Sequence, residues 1–169
     1  MLKILIPVDS KSNSLHAVRH AIHESMKNAP LEIHLLNVQA PLGHYISRYL
    51  SREDRDAFCR DQAKLALLPA QQMLDRFAVP YAAHIRQGEK AAAIASLAQH
   101  LGCDHIVMST ARKNSLIRMI ESSTINKVIE LTTVPVKIIA GDAASKLERY
   151  GVPAGVGTAL ASLFFAASN

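Results

Sequence analysis

Few side chains in this sequence have types and spacings suited to chemistry, and the tightest group is basic. Arg112, Lys113 and Arg118 are separated only by Ser, Asn and apolar residues. Just downstream, Ser122-Ser123-Thr124 has the side chains that cap a helix N-terminus, where backbone N–H groups and the helix dipole favour an anion. Together they read either as an anion site or as a solvated basic loop followed by an ordinary cap. His16, His20 and His23 lie close together on a helical repeat, a spacing able to bind a metal. With no carboxylate or Cys read as completing the set, they are expected to be surface histidines. His23-Glu24-Ser25-Met26-Lys27 begins like a zinc-protease helix, but Lys27 stands where the second ligand belongs. Gly155-Val156-Gly157 lacks a third glycine and follows no strand. The sequence has no Gly-x-Ser-x-Gly and no Lys-Ser or Lys-Thr phosphate loop, and no nucleophile has an identifiable base. No enzymatic activity and no metal site are assigned.

Composition narrows the setting. The chain has 169 residues, 49% hydrophobic and 20% charged, which excludes disorder throughout and allows a core without disulfides or metal. Aromatics are 5% with no Trp, so stacking platforms for single-stranded nucleic acid are scarce and no nucleic-acid partner is expected. The net charge is +5, but between Arg48 and Lys64 basic and acidic residues interleave as on a solvated helix. Cys59 and Cys103 are far apart and in no metal spacing, as for reduced thiols in a cytoplasmic protein. The apolar run before Asp9 is too short for a signal peptide, and no segment reaches the ~20 apolar residues that span a bilayer. Membrane contact is not expected.

The elements that must position these residues follow from changes of period. Leu2–Val8 is an apolar run ended by Asp9, the pattern of a buried strand. Leu15, Val18, Ile22 and Met26 form a helical stripe that Pro30 stops. Glu32–Val38 is a second strand. Residues 43–77 are mostly helical from Arg52, with Pro69 expected to kink or divide the helix. Val79–Gln87 is a third strand closed by Gly88, Ala91–Leu101 an Ala-rich helix ended by Gly102, and Asp104–Met108 a fourth strand. Ser109–Arg118 reads as a loop, Ser122–Leu131 as a helix and Val134–Ala140 as a fifth strand. Alternating strands and helices give an α/β fold: an open, Rossmann-like parallel sheet with helices on both faces. Ligands of such sheets sit beyond the carboxyl ends of the strands, here Asp9, Val38-Gln39, Gln87-Gly88 and Ser109–Arg112.

Ile4-Leu5-Ile6-Pro7-Val8-Asp9 is similar to the opening strand of the universal stress protein family. Leu35-Leu36-Asn37-Val38, Gly88 before an Ala-rich helix, Asp104-His105-Ile106-Val107-Met108 and Thr133-Val134-Pro135-Val136-Lys137-Ile138-Ile139 resemble it in the same order, over residues 1–140. The resemblance implies a five-stranded sheet of order 3-2-1-4-5, usually dimeric. One branch of the family binds ATP through Gly-x-x-Gly and, nine residues on, Gly followed by Ser or Thr. Aligned on Val107-Met108, the glycine positions hold Ser109, Arg112 and Ser122, and only the hydroxyl position, Ser123, is kept. Side chains there narrow the backbone cradle and penalise the conformations glycine adopts freely. By the same resemblance Asp9 stands beside the adenosine and Val38 at the adenine. Asp9, Val38, Ser109, Thr110, Arg112, Ser122 and Ser123 are thus the candidate nucleotide residues. Each of Asp9 and Val38 also has a structural reading, as a loop cap and as the end of a buried strand.

The function expected is a homodimeric regulatory or binding module of the stress response, with a degenerate nucleotide site and no ATP cofactor. The alternatives are an ATP- or AMP-binding switch with slow hydrolysis, or a protein docking on a partner or membrane through its tail. Val134, Val136 and Ile138 on the last strand are the expected contacts of a homodimer, since an open apolar edge invites uncontrolled pairing. An anionic small molecule or nucleotide is the expected occupant of the crevice, and a further protein partner is left open. Residues 141–169 form an extension: a polar linker, then an uncharged run from Val152 to Ala167 in which Leu160, Leu163 and Phe164 share one side. That run is expected to dock as a helix on the domain or its twin.

Overall fold

A computed structural model describes residues 1–27, 30–41, 43, 49, 51–110 and 124–141. Arg112, Lys113, Arg118, Ser122, Ser123 and the uncharged tail lie outside the described residues. The elements run β1 (Leu2–Pro7), a 3-10 turn (Ser12–Ser14), α1 (Leu15–Met26), β2 (Leu31–Gln39), α2 (Arg52–Arg76), β3 (Tyr81–Gln87), α3 (Lys90–Leu101), β4 (His105–Thr110), a helix α4 over residues 124–131 and β5 (Val136–Ala140). The five strands make one parallel sheet of order β3-β2-β1-β4-β5, the order that the family resemblance implies.

Strand alternation divides the core in two. Ile4, Ile6, Ile33, Leu35 and Val107 face Val18 and Ile22 of α1 and Leu67 and Leu74 of α2. Leu5, Leu36, Ile106 and Met108 face the other way, onto Ile94, Leu97 and Ala98 of α3 and Ile125 and Val128 of α4. Strand β1 is therefore covered on both faces, which is why its sequence is a continuous apolar run and not an alternating one. Each fully buried Leu or Ile contributes about 1.5–3 kcal/mol before ordering costs. Helix ends are set locally. Ser51 caps α2, its hydroxyl accepting from Asp54 N at 3.0 Å. Gly102, at φ 63°, ends α3 in the left-handed conformation while Cys103 N reaches back to the Ala98 carbonyl at 2.9 Å.

Five expectations change. Val79 does not open the third strand: its N–H donates back to the Leu74 carbonyl at 3.0 Å and β3 begins at Tyr81. Pro69 does not divide its helix: α2 is one element of 25 residues. Pro69 lies on its exposed side, near Leu65 and Leu68, so the carbonyl that loses its N–H partner has water within reach. Strand β4 runs two residues beyond Met108, because Ser109 and Thr110 pair with Ile139 and Ala140. Val134 precedes β5 instead of opening it. Met26, the last residue of the apolar stripe and of α1, is 65% exposed, unlike the buried Val18 and Ile22. No helix among the described residues is long and apolar enough to cross a membrane.

Replacing Pro69 restores a helix donor at an exposed position. Pro69→Ala is expected to stabilise the fold by about 1–2 kcal/mol, the helix gain of up to ~3 kcal/mol less the ~1 kcal/mol by which Pro restricts the unfolded chain. A urea melt checks this through a raised midpoint at unchanged slope.

Candidate functional site

The strand order reverses between β1 and β4, and a cleft of about 220 Å³ opens there, at the carboxyl ends of the strands. Its apolar wall is Val38 of β2, Ile94 of α3, Met108 of β4 and Ile125 of α4. Its polar rim carries Asp9, Lys11, Lys90, Ser109 and Thr124. The parallel register brings these together: Val8 N donates to the Leu36 carbonyl at 2.8 Å, so the chain leaving β1 is fixed against β2 just before Asp9.

Asp9 forms a side-chain turn, its Oδ1 accepting from Lys11 N at 3.1 Å. Ser14 Oγ braces the same turn, lying 3.2 Å from the Asp9 carbonyl and 2.9 Å from that of Lys11. Ser109 closes the opposite lip. Its hydroxyl donates to the Asn13 carbonyl at 2.6 Å, and Asn13 Nδ2 returns a long bond of 3.4 Å to the Ser109 carbonyl. At the mouth, Glu89 caps α3 by accepting from Ala92 N at 2.7 Å, and the Ala92 and Ala91 N–H groups hold its carboxyl below the usual range. Lys90, next along, is exposed at the cleft.

Of the residues singled out in the sequence, Asp9, Val38 and Ser109 line this cleft. Thr110 does not: it is a β4 residue whose carbonyl accepts from Gly141 N at 2.8 Å. Arg112, Ser122 and Ser123 lie outside the described residues. Of the expected dimer contacts, Val134 and Val136 are half-buried against the α3 side of the core, while Ile138 is 47% exposed on β5.

Three positions escaped the sequence reading. Asn37, 3% exposed, donates from Nδ2 to the Val8 carbonyl at 2.7 Å and accepts from Gln39 Nε2 at 2.6 Å. A polar residue inside an apolar strand was the available signal. Lys90 stands two residues after Gly88, just past the cap Glu89, a cation placed where a helix N-terminus meets the strand ends. Gly141, read as the start of a linker, is buried; a Cβ there would stand 2.8 Å from Asn13 Oδ1 and 2.9 Å from the Thr110 carbonyl.

The histidine group also differs from expectation. His20 is half-buried, not a surface residue, and it lines a second cavity of about 90 Å³ together with Glu24, His105 and Lys137. Burial, then the Lys137 ammonium, lowers its pKa. Among the described residues no three His, Cys, Asp or Glu side chains converge as metal ligands.

A sequence model described as the universal stress protein family matches residues 1–140. The chain belongs to this family. It is 27% identical over 139 residues to Universal stress protein MJ0531 of Methanocaldococcus jannaschii, covering 81% of each chain. Among solved structures it is similar to the hypothetical protein MJ0577, at 19% identity and a TM-score of 0.67, covering 84% of this chain and 97% of that one. It is also similar to a universal stress protein family protein of Arabidopsis thaliana with AMP bound, at 16% identity and a TM-score of 0.62, covering 85% and 94%. At these identities the structures establish the shared fold. The cleft at the β1–β4 switch thus lies in a universal stress protein sheet, and beside it Asn37 ties β2 to the end of β1.

Asn37→Leu keeps the size of the side chain but leaves the Val8 carbonyl and the Gln39 amide without their partner. It is expected to destabilise the protein by about 1–3 kcal/mol in chemical denaturation, the cost of unsatisfied buried polar groups.

Proposed function

We propose that this universal stress protein is a homodimeric regulatory module whose crevice does not hold the triphosphate of ATP. The observation that supports this is at Ser109. A glycine there would leave the β4 amides open to approach, whereas the Ser109 hydroxyl lies across the lip, bonded to Asn13 at 2.6 Å. Calorimetry with Mg-ATP is then expected to show no saturable heat below about millimolar, a binding free energy weaker than roughly 4 kcal/mol. Micromolar binding overturns the reading.

A second reading is favoured by the cations at the rim and by the AMP bound to the Arabidopsis relative. In it the crevice takes a nucleoside monophosphate. Val38 and Ile94 pack the base, Asp9 accepts from the sugar hydroxyls, and Lys11 and Lys90 meet a single phosphate. AMP then saturates in the same calorimeter, and Lys11→Ala and Lys90→Ala each weaken it by about 1–3 kcal/mol, as expected for charge-assisted hydrogen bonds.

Assembly belongs to the same proposal. Strand β5 is an edge with Ile138 exposed on it, and antiparallel pairing with its twin across a twofold axis removes that edge. Pro135, which has no N–H to offer, lies just before the strand, where its carbonyl accepts from Ile106 N at 2.9 Å. The domain is residues 1–140, and the buried free thiols of Cys59 and Cys103 suit a reducing, cytoplasmic setting. Sedimentation is expected to give a dimer for the native chain and a monomer for Ile138→Asp. A native monomer at micromolar concentration contradicts the assembly.

A further inference from the structure

Outside the crevice, on the face of the sheet that carries α3, side chains of two strands form one hydrogen-bonded chain. His34 Nε2 lies 3.0 Å from Glu32 Oε1, and His34 Nδ1 lies 2.9 Å from His84 Nε2. Lys3 Nζ approaches the same Glu32 oxygen at 3.4 Å and donates to the Leu101 carbonyl at 3.1 Å. The chain therefore runs from the edge strand β3 across β2 to β1 and the end of α3. His34 is buried beneath it and His84 is half-buried, with no hydrogen bond to its Nδ1 among the described residues.

The hydrogens on this chain follow from its ends. Burial raises the Glu32 carboxyl, but the hydrogen bond from His34 and the Lys3 ammonium outweigh it and keep the group ionised. An ionised carboxylate only accepts, so His34 Nε2 carries the hydrogen. A neutral His34 then has Nδ1 free to accept, so His84 Nε2 donates and the His84 lone pair is on Nδ1. One added proton goes to His84 Nδ1 and leaves every bond intact. A second has to go to His34 Nδ1, where it meets the His84 Nε2 hydrogen. Two donors and two like charges 2.9 Å apart cannot keep that bond.

We propose that the His34–His84 pair is a proton-operated latch on β3, closed with no proton or one and open with two. It is independent of whether the crevice binds a nucleotide. The charged groups facing it are Arg86 on β3, Glu32 on β2 and Lys3 on β1. Asp104 stands behind Lys3, accepting from its backbone N–H at 2.7 Å, with the buried Cys103 thiol, raised by burial, beside it. Helix α3 contributes the Leu101 carbonyl. Burial, then His34 and Arg86, lower the His84 pKa below 6.5. Unfolded His84 therefore takes its proton at a higher pH than folded His84. Its contribution to stability is complete above about pH 6.5 and is lost as pH falls below it toward the folded value. Opening also reaches the crevice, because β3 continues through Gly88, whose N–H donates to the Gln39 carbonyl at 3.0 Å, into Lys90 at the rim.

The test is residue-resolved hydrogen exchange with nitrogen-15 imidazole spectra on the full chain, from about pH 8 to about pH 5. At the upper pH both His34 and His84 are expected in the Nε2–H form. On acidification the amides of Tyr81–Gln87 are expected to lose about tenfold more protection than those of Ile4–Ile6, after correction for intrinsic rates. His84→Gln, whose amide donates to His34 Nδ1 without titrating, is expected to abolish that difference, and His34→Gln tests the other half should His84→Gln fail to fold. An Nδ1–H form of His84 at the upper pH overturns the proposal. So does parallel loss of protection in β3 and β1, or a difference that persists in the Gln variants.

Discussion

The bond from the Asn37 amide to the Val8 carbonyl, 2.7 Å long and buried, is the contact on which the geometry of the crevice depends. At Val8 the chain leaves β1 and must turn toward α1, and its carbonyl there is away from water. A side chain of β2 takes it, so the wall of the cleft and the turn at Asp9 are set by one residue that belongs to neither. Gln39 completes the arrangement by donating to Asn37 Oδ1 at 2.6 Å. A low-dielectric surrounding strengthens such a network when every group is paired and makes any lost partner costly. The turn beyond it holds Asp9 and Lys11 on a fixed backbone, which is what a binding rim requires.

Much of the fold is legible in the sequence because the elements announce their own periods. The run Ile4-Leu5-Ile6 has the pattern of a strand covered on both faces, and Gly102 marks the end of α3 because that position needs the left-handed conformation. The order of the strands is not in the periodicity; it came from the resemblance of several short strings taken together. Pro69 leaves its helix undivided because the cost of a proline depends on which side of the helix it occupies, and exposure is a tertiary fact. Ser109 and Thr110 looked like a loop for a related reason: polar residues continue a strand when a neighbouring strand pairs with them.

The candidate site was less legible than the sheet. Asp9, Val38 and Ser109 stand at strand ends, where an α/β reading already looks. Asn37, Lys90 and Gly141 act through contacts between segments far apart in the chain. Gly141 is the clearest case. Its lack of a side chain allows the end of β5 to close on Asn13 and on Thr110, so the residue that looked like the start of a linker helps to hold the lip that Ser109 forms. No local pattern distinguishes such a glycine from a flexible one.

The two edges of the sheet meet the hazard of unpaired backbone in different ways, and that difference bears on what each edge is for. Strand β3 exposes Ala82, Ala83, Arg86 and Gln87, a small and polar set with one charge, unattractive to a foreign strand. Its hold on the sheet is correspondingly poor in apolar contacts, since of its residues only Tyr81 and Ile85 pack on the core. A hydrogen-bonded side-chain chain through His84 adds attachment without adding an apolar surface. Strand β5 has the opposite character: Val136 is half-buried on the core and Ile138 is exposed beside it, with Ile129 and Leu131 of α4 exposed as well. A surface of that kind is stable when covered by a second one like it. An edge made polar is suited to release under a change of charge, and an edge left apolar is suited to permanent pairing. The sheet has one of each, on opposite sides of the crevice.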